Sequence, residues 1–156
     1  MTQPHLIRWP NTSGFRRSEV TAVIGRGDDA WSRAAHDVLR WKVKTRSGFA
    51  VDTTTPVAVG ERLTITARVF WVSVDEPVEV VSVVQTRDRV GFAYRALPGH
   101  PVSGEETFIV HRAGDVVMIT IRSLTRPATQ QPWRALFPLL RIAQVIARRR
   151  YLRALR

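Results

Sequence analysis

The sequence contains no cysteine. That absence excludes disulfides, thiolate metal sites and cysteine nucleophiles together. Lysine is almost missing as well: of 24 basic residues only Lys42 and Lys44 are not Arg. The imbalance fits a GC-rich bacterial genome as well as any binding role. No window reaches the roughly 18 apolar residues of a membrane span. The best stretch, Ala135 to Ala147, is short and broken by Pro138, Arg141 and Gln144. The opening MTQPHLIRWP lacks the apolar run of a signal peptide, so a soluble cytoplasmic protein is expected. Gly-x-Ser-x-Gly, P-loop and Gly-x-Gly-x-x-Gly patterns are all absent. His100, His111 and the neighbouring Glu residues match no metal motif, so neither metal nor cofactor is expected.

Acid is absent from one region. Residues 131 to 156 hold seven Arg and no Asp or Glu, although the net charge of the whole chain is only +11. The basic character is therefore largely a property of the tail. Arg148, Arg149, Arg150 and Arg153 could meet an anionic surface, lipid or nucleic acid. The competing explanation is simple solvation with a favourable helix C-terminus.

The 156 residues, 44% of them apolar, suffice for one domain with a real core. We expect a single unit over 1–156, with an irregular arm at 1–16 and a basic helix at 131–156. SEVTAVIG at 18–25 reads as a strand. Asp28 and Asp29 then signal a helix start, with Trp31, Ala34, Ala35, Val38 and Leu39 at helical spacing up to about Arg40.

Behind that helix the period shortens. WKVKT at 41–45 and GFAVD at 48–52 are short strand candidates. RLTITARVF at 62–70 alternates cleanly, as a half-buried antiparallel strand does. VEVVSVVQ at 78–85, RVGFAYRAL at 89–97, SGEETFIVHR at 103–112 and DVVMITIRS at 115–123 complete the run. Leu139, Leu140, Ala143, Ile146 and Ala147 then line one face of a last helix that Pro132 could open. Arg150 falls back on that stripe, so packing is expected to stop near Ala147. Trp31, Trp41, Trp71 and Trp133 read as core by spacing. The whole predicts an α+β fold: a curved antiparallel sheet of about seven strands wrapped around a long C-terminal helix, with a two-layer α+β sandwich lacking a cavity as the competitor.

The chemistry concentrates in GFAYRALPGHPVSGEETF, residues 91–108. Glu105 and Glu106 are strand neighbours and point to opposite faces, so they cannot form a dyad. Which one looks inward is open. Tyr94 alternates with Val90 and Phe92 and should face the concave side, where its hydroxyl needs a partner. Arg122 is the expected cation of that network, and His100 sits in the turn between the strands. Trp41 is a candidate wall of the same space.

The same stretch resembles the signature of a bacterial and plant family catalogued as domain of unknown function nineteen-ninety. WKVKTRSGFAV, the Ser-Gly-Glu-Glu strand, Thr-Arg-Pro at 125–127 and RRYLRAL near the end extend the likeness. Arg95 and Ala96 stand where the family usually shows Gly-Thr, and Thr125 where it shows Ser. The resemblance implies a helix-grip, START-like fold related to polyketide cyclases; it implies no reaction. The expected function is the holding of an apolar or amphipathic small molecule between sheet and helix by Trp41, Tyr94, His100, Glu105, Glu106 and Arg122. A cyclase- or hydrolase-like enzyme in the same cavity, with Tyr94 and one Glu as acid and base, is one alternative. An interaction protein using the basic helix is the other.

Overall fold

A computed structural model describes residues 1–10, 14–53, 55–69, 72–127 and 133–156. Seven strands form one antiparallel sheet: β1 (Arg16–Arg26), β2 (Phe49–Val51), β3 (Arg62–Val69), β4 (Val72–Gln85), β5 (Arg89–Ala96), β6 (Val102–Ala113) and β7 (Val116–Pro127). Their order is β1-β7-β6-β5-β4-β3-β2. The strands from β2 to β7 are therefore a meander, and β1 returns to pair with the last of them. Helices α1 (Gly27–Val38) and α2 (Lys42–Thr45) carry the chain from one sheet edge to the other. Helix α3 (Trp133–Tyr151) closes the fold. This is the expected helix-grip arrangement.

Alternation decides the two faces of the sheet. Val90, Phe92, Tyr94, Phe108, Val110, Val117, Ile119 and Ile121 meet Ala34 and Val38 of α1 in the main core. Trp41 is fully buried among them, edge-on to Phe92 at 4.6 Å between ring centroids. The rings thus pack one half of the concave face solid, under α1 and α2. Trp31 only packs partly against this cluster. Trp71, Pro132 and the Trp133 side chain lie outside the described residues.

Three elements differ from the sequence reading. WKVKT is a helical turn and not a strand, because Trp41 takes a left-handed conformation (φ 60°) and its carbonyl accepts from the amides of Lys44 and Thr45. Strand β4 starts at Val72, six residues before the expected start, and runs through Pro77. Proline is tolerated there because β5 ends at Ala96, opposite Val78, and just past it the Leu97 amide donates to the Pro77 carbonyl, a bond that needs no proline N–H. A bulge between Val80 and Ser82 absorbs the extra residue that makes VEVVSVVQ look continuously apolar.

The third difference lies in α3. Its packing does not stop at Ala147: Tyr151 is buried and Leu155 joins the core beyond the helix end. The chain tightens past Tyr151 through hydrogen bonds such as Ala154 N–H to the Tyr151 carbonyl.

Candidate functional site

The second half of the concave face is open. Between α3, α2 and the ends of β4, β5 and β6 lies a cleft of about 510 Å³. Ala67, Val74, Ala96, Leu140, Ala143 and Ala147 give it apolar walls. Gly104 forms part of the rim with φ +148°, and a Cβ there would fall 1.8 Å from the Leu124 carbonyl oxygen. Only glycine lets β6 lie this close to β7 at that point.

Polar groups converge at the buried end. The turn at Trp41 aims Lys44 inward, and its ammonium donates to Tyr151 Oη at 2.7 Å. It also lies 3.1 Å from Glu106 Oε2, which accepts the Tyr94 hydroxyl as well. The rings of Phe49, Tyr151 and Tyr94 surround the ammonium at 4.6, 4.8 and 5.3 Å from their centroids. Such rings favour a cation taken from water.

The electrostatics follow from this geometry. Burial pulls the Lys44 ammonium down, but Glu106 and the two tyrosine oxygens outweigh it and hold it well above the usual lysine range. Burial pushes Glu106 up, and Lys44 with the Tyr94 hydrogen bond brings it below the carboxylate range. The pair is therefore ionised at neutral pH. Burial raises Glu76 despite Lys44, and burial with Glu106 nearby raises Tyr94 well above its normal value.

His100 completes the wall. The Val102 amide donates to its Nδ1 at 3.1 Å, so the neutral ring carries its proton on Nε2. That nitrogen faces Glu76 Oε2 at 3.9 Å, too far for a hydrogen bond. Burial, then repulsion by Lys44, lowers the imidazole from 6.5 to about 4. The folded value lies below the unfolded one, so this group's stabilising effect is present above pH 6.5 and lost as pH falls towards 4. We expect an NMR titration to place the His100 midpoint near 4, and His100→Asn to flatten the acid limb of the stability curve. A midpoint near the ordinary histidine value would contradict the buried placement.

The expected site residues divide. Tyr94, Glu106 and His100 meet in the cleft. Trp41 lies beneath it, 5.6 Å from the Tyr94 ring, with an indole N–H that has no hydrogen-bond partner among the described residues. Glu105 also borders the cleft, but its carboxylate turns the other way and accepts from the Thr2 amide and hydroxyl. Arg122 does not join Tyr94. Glu106 faces Ser123 in the β6–β7 register, so parity sends Arg122 to the convex face. There its guanidinium donates to the carbonyls of Gln3 and Ile7 in the N-terminal arm. Lys44, Glu76 and Tyr151 escaped the sequence reading. The one available signal was a lysine retained in a chain that otherwise uses arginine.

Similarity to known proteins agrees with this architecture. A family model described as Domain of unknown function (DUF1990) matches residues 3–154. A UPF0548 protein of Arabidopsis thaliana is 27% identical over 122 residues, covering 74% of this chain and 60% of the relative. The chain thus spans less than two thirds of the length of that relative. Among solved structures, hypothetical protein jhp0584 of Helicobacter pylori superimposes with a TM-score of 0.63 at 16% identity, covering 99% of this chain and 96% of that one. Ara h 8.0201 gives 0.55 at 10% identity, covering 88% and 96%. At such identities the likeness is one of fold.

Proposed function

The chain belongs to the DUF1990 family, and from that premise we propose that it holds a small amphipathic molecule in the cleft beneath α3. The observation that carries the reading is an apolar cleft of about 510 Å³ ending in a satisfied ion pair. Volume and lining fall within the range of small-molecule sites. Lys44 and Glu106 neutralise one another, so the buried end of the cleft has no net demand for a charged ligand. What remains unengaged is a set of donors. Among the described residues, Tyr151 accepts from Lys44 without donating its own O–H, and His100 Nε2–H has no acceptor within hydrogen-bond distance. A neutral ligand with an apolar body and one hydrogen-bond-accepting oxygen matches this wall.

Holding suits the site better than proton transfer. A general acid or base works best with its pKa near the operating pH. Tyr94 is moved up and Glu106 down, both away from neutrality. Of the shifted carboxyls in the cleft only Glu76 moves towards it.

The test uses Prodan, a neutral fluorophore with an apolar body and one ketone oxygen. The wild-type chain should bind it saturably with a blue-shifted emission. Ala143→Trp, which fills the cleft from an exposed helix position, should weaken binding about tenfold or more with an unchanged Tm. Absence of saturable binding to the wild type, or equal binding by the filled variant, would sink the reading. Native mass spectrometry of the purified chain would then identify the natural occupant.

A further inference from the structure

We propose that the outer face of α3 docks on the surface of a bilayer containing anionic lipid. This goes beyond the cleft reading and does not depend on it. The helix is apolar on two sides. Leu140, Ala143 and Ala147 face the cleft. Leu139, Ile142, Val145 and Ile146 are large apolar residues left between 48% and 63% exposed. At helical spacing these four form one stripe, which Ala135 and Pro138, both exposed, extend by a turn. A contiguous apolar patch on a folded surface marks an interaction site.

Charge selects what covers it. Arg141, Arg149 and Arg150 are exposed on the same helix. The tail from 131 to 156 contains no acid. A helix with an apolar stripe between arginines fits the interface of an anionic bilayer, with the stripe at acyl depth and the guanidinium groups among phosphates. Two copies of this chain meeting on the same stripe would press like charges together. A nucleic acid would satisfy the arginines but leave the stripe in water. The described residues of the stripe also offer no aromatic ring for base stacking.

The position of the face adds a second argument. Ile146 belongs to the exposed stripe and also lines the cleft. A bilayer on the stripe would therefore sit beside the cleft mouth, so an apolar molecule could pass between the two with little exposure to water.

The experiment is vesicle flotation of the full chain. Phosphatidylcholine vesicles with phosphatidylglycerol should carry the wild type, and pure phosphatidylcholine vesicles should not. Binding should weaken with added salt, and the Leu139→Asp/Ile142→Asp variant should lose at least about tenfold in affinity. That variant should keep the wild-type Tm and Prodan binding, because both side chains are exposed; if it melts lower, Ile142→Asn makes the same comparison. Three results would overturn the proposal: no flotation with either vesicle, flotation unaltered by the variant, or a wild-type dimer that the variant disperses. Loss of Prodan binding in the cleft-filled chain with flotation intact keeps the two proposals separable.

Discussion

Replacing Lys44 with Met should lower the unfolding free energy by about 3 kcal/mol, the low end for breaking a buried ion pair. The low end applies because the Lys44 side chain is 4% exposed and that of Glu106 still 21%. At this chain length the loss corresponds to a Tm about 6–12 °C lower. Most of the cost is not the lost attraction. It is the carboxylate of Glu106, left part-buried with the Tyr94 hydroxyl and the weaker field of Arg148 as its offset. The double variant Lys44→Met/Glu106→Gln removes both charges and should recover roughly 2 kcal/mol of the loss, which a double-mutant cycle reads directly.

The pH dependence of that variant has a definite sign. In the wild type, Glu106 lies below its ordinary value of 4.5, so its contribution is present above 4.5 and lost as pH falls through the depressed value. Lys44 lies above 10.5, so its contribution is present below 10.5 and lost as pH rises beyond it. The pair is thus fully active across the neutral range. Without Lys44 the largest offset to burial is gone, and the folded value of Glu106 should rise against the smaller opposition of the Tyr94 hydrogen bond and Arg148. The variant should then gain stability on acidification relative to the wild type, as Glu106 takes up a proton. Urea unfolding at neutral and mildly acidic pH checks both statements. A Lys44→Met chain within about 0.5 kcal/mol of wild type, the range of ordinary surface changes, would show that the pair is not structural.

The sheet was legible because its strands are one-sided. Leu63 and Ile65 in β3, and Phe92 and Tyr94 in β5, alternate with outward or small residues, and the structure buries them accordingly. Parity also separated Glu105 from Glu106. It could not choose between them, since each has an apolar neighbour on its own side: Ile109 for Glu105, Phe108 for Glu106. Register made the choice. Pairing of Tyr94 with Glu106 brings those side chains together on the face that Lys44 reaches.

Lys44 was hidden by one backbone angle. Read as a strand, WKVKT places Lys42 and Lys44 together on a solvent face. The left-handed Trp41 starts a helical turn, which separates them and buries Lys44 while Lys42 stays half-buried. No periodic pattern announces a positive φ at a Trp, a conformation that is rare for a bulky residue and is held by its surroundings. Helix α3 misled for a different reason. Its apolar residues lie on two faces, so a single best stripe merges Ile146 of the exposed face with Ala143 and Ala147 of the cleft face.

Arg122 yields the other large expected effect. It is buried, its side chain 1% exposed, beneath an arm that no sequence pattern would place there. Its guanidinium holds the carbonyls of Thr2, Gln3 and Ile7, and its Nε lies 3.3 Å from Glu19. Arg89 ties the same arm through the carbonyls of Pro4 and Leu6. Trp9 lies over this region, with the Arg122 guanidinium 5.6 Å and the Arg17 guanidinium 4.3 Å from its ring. An arm without regular structure must satisfy its carbonyls somewhere, and here arginines from the sheet supply the donors. Arg122→Ala removes three of those hydrogen bonds, leaves Glu19 with only Arg17 at 3.5 Å among the described residues and opens a cavity. The expected loss is about 3 kcal/mol, since bonds to charged groups contribute about 1.5–3 kcal/mol each and released carbonyls regain water. The arm should detach first, so brief trypsin treatment should cut at Arg8 in the variant before the sheet is attacked. Prodan binding should persist, because Arg122 and the cleft lie on opposite faces of β7. A variant that keeps its arm protected from trypsin but loses Prodan would reverse the assignment and return Arg122 to the ligand site.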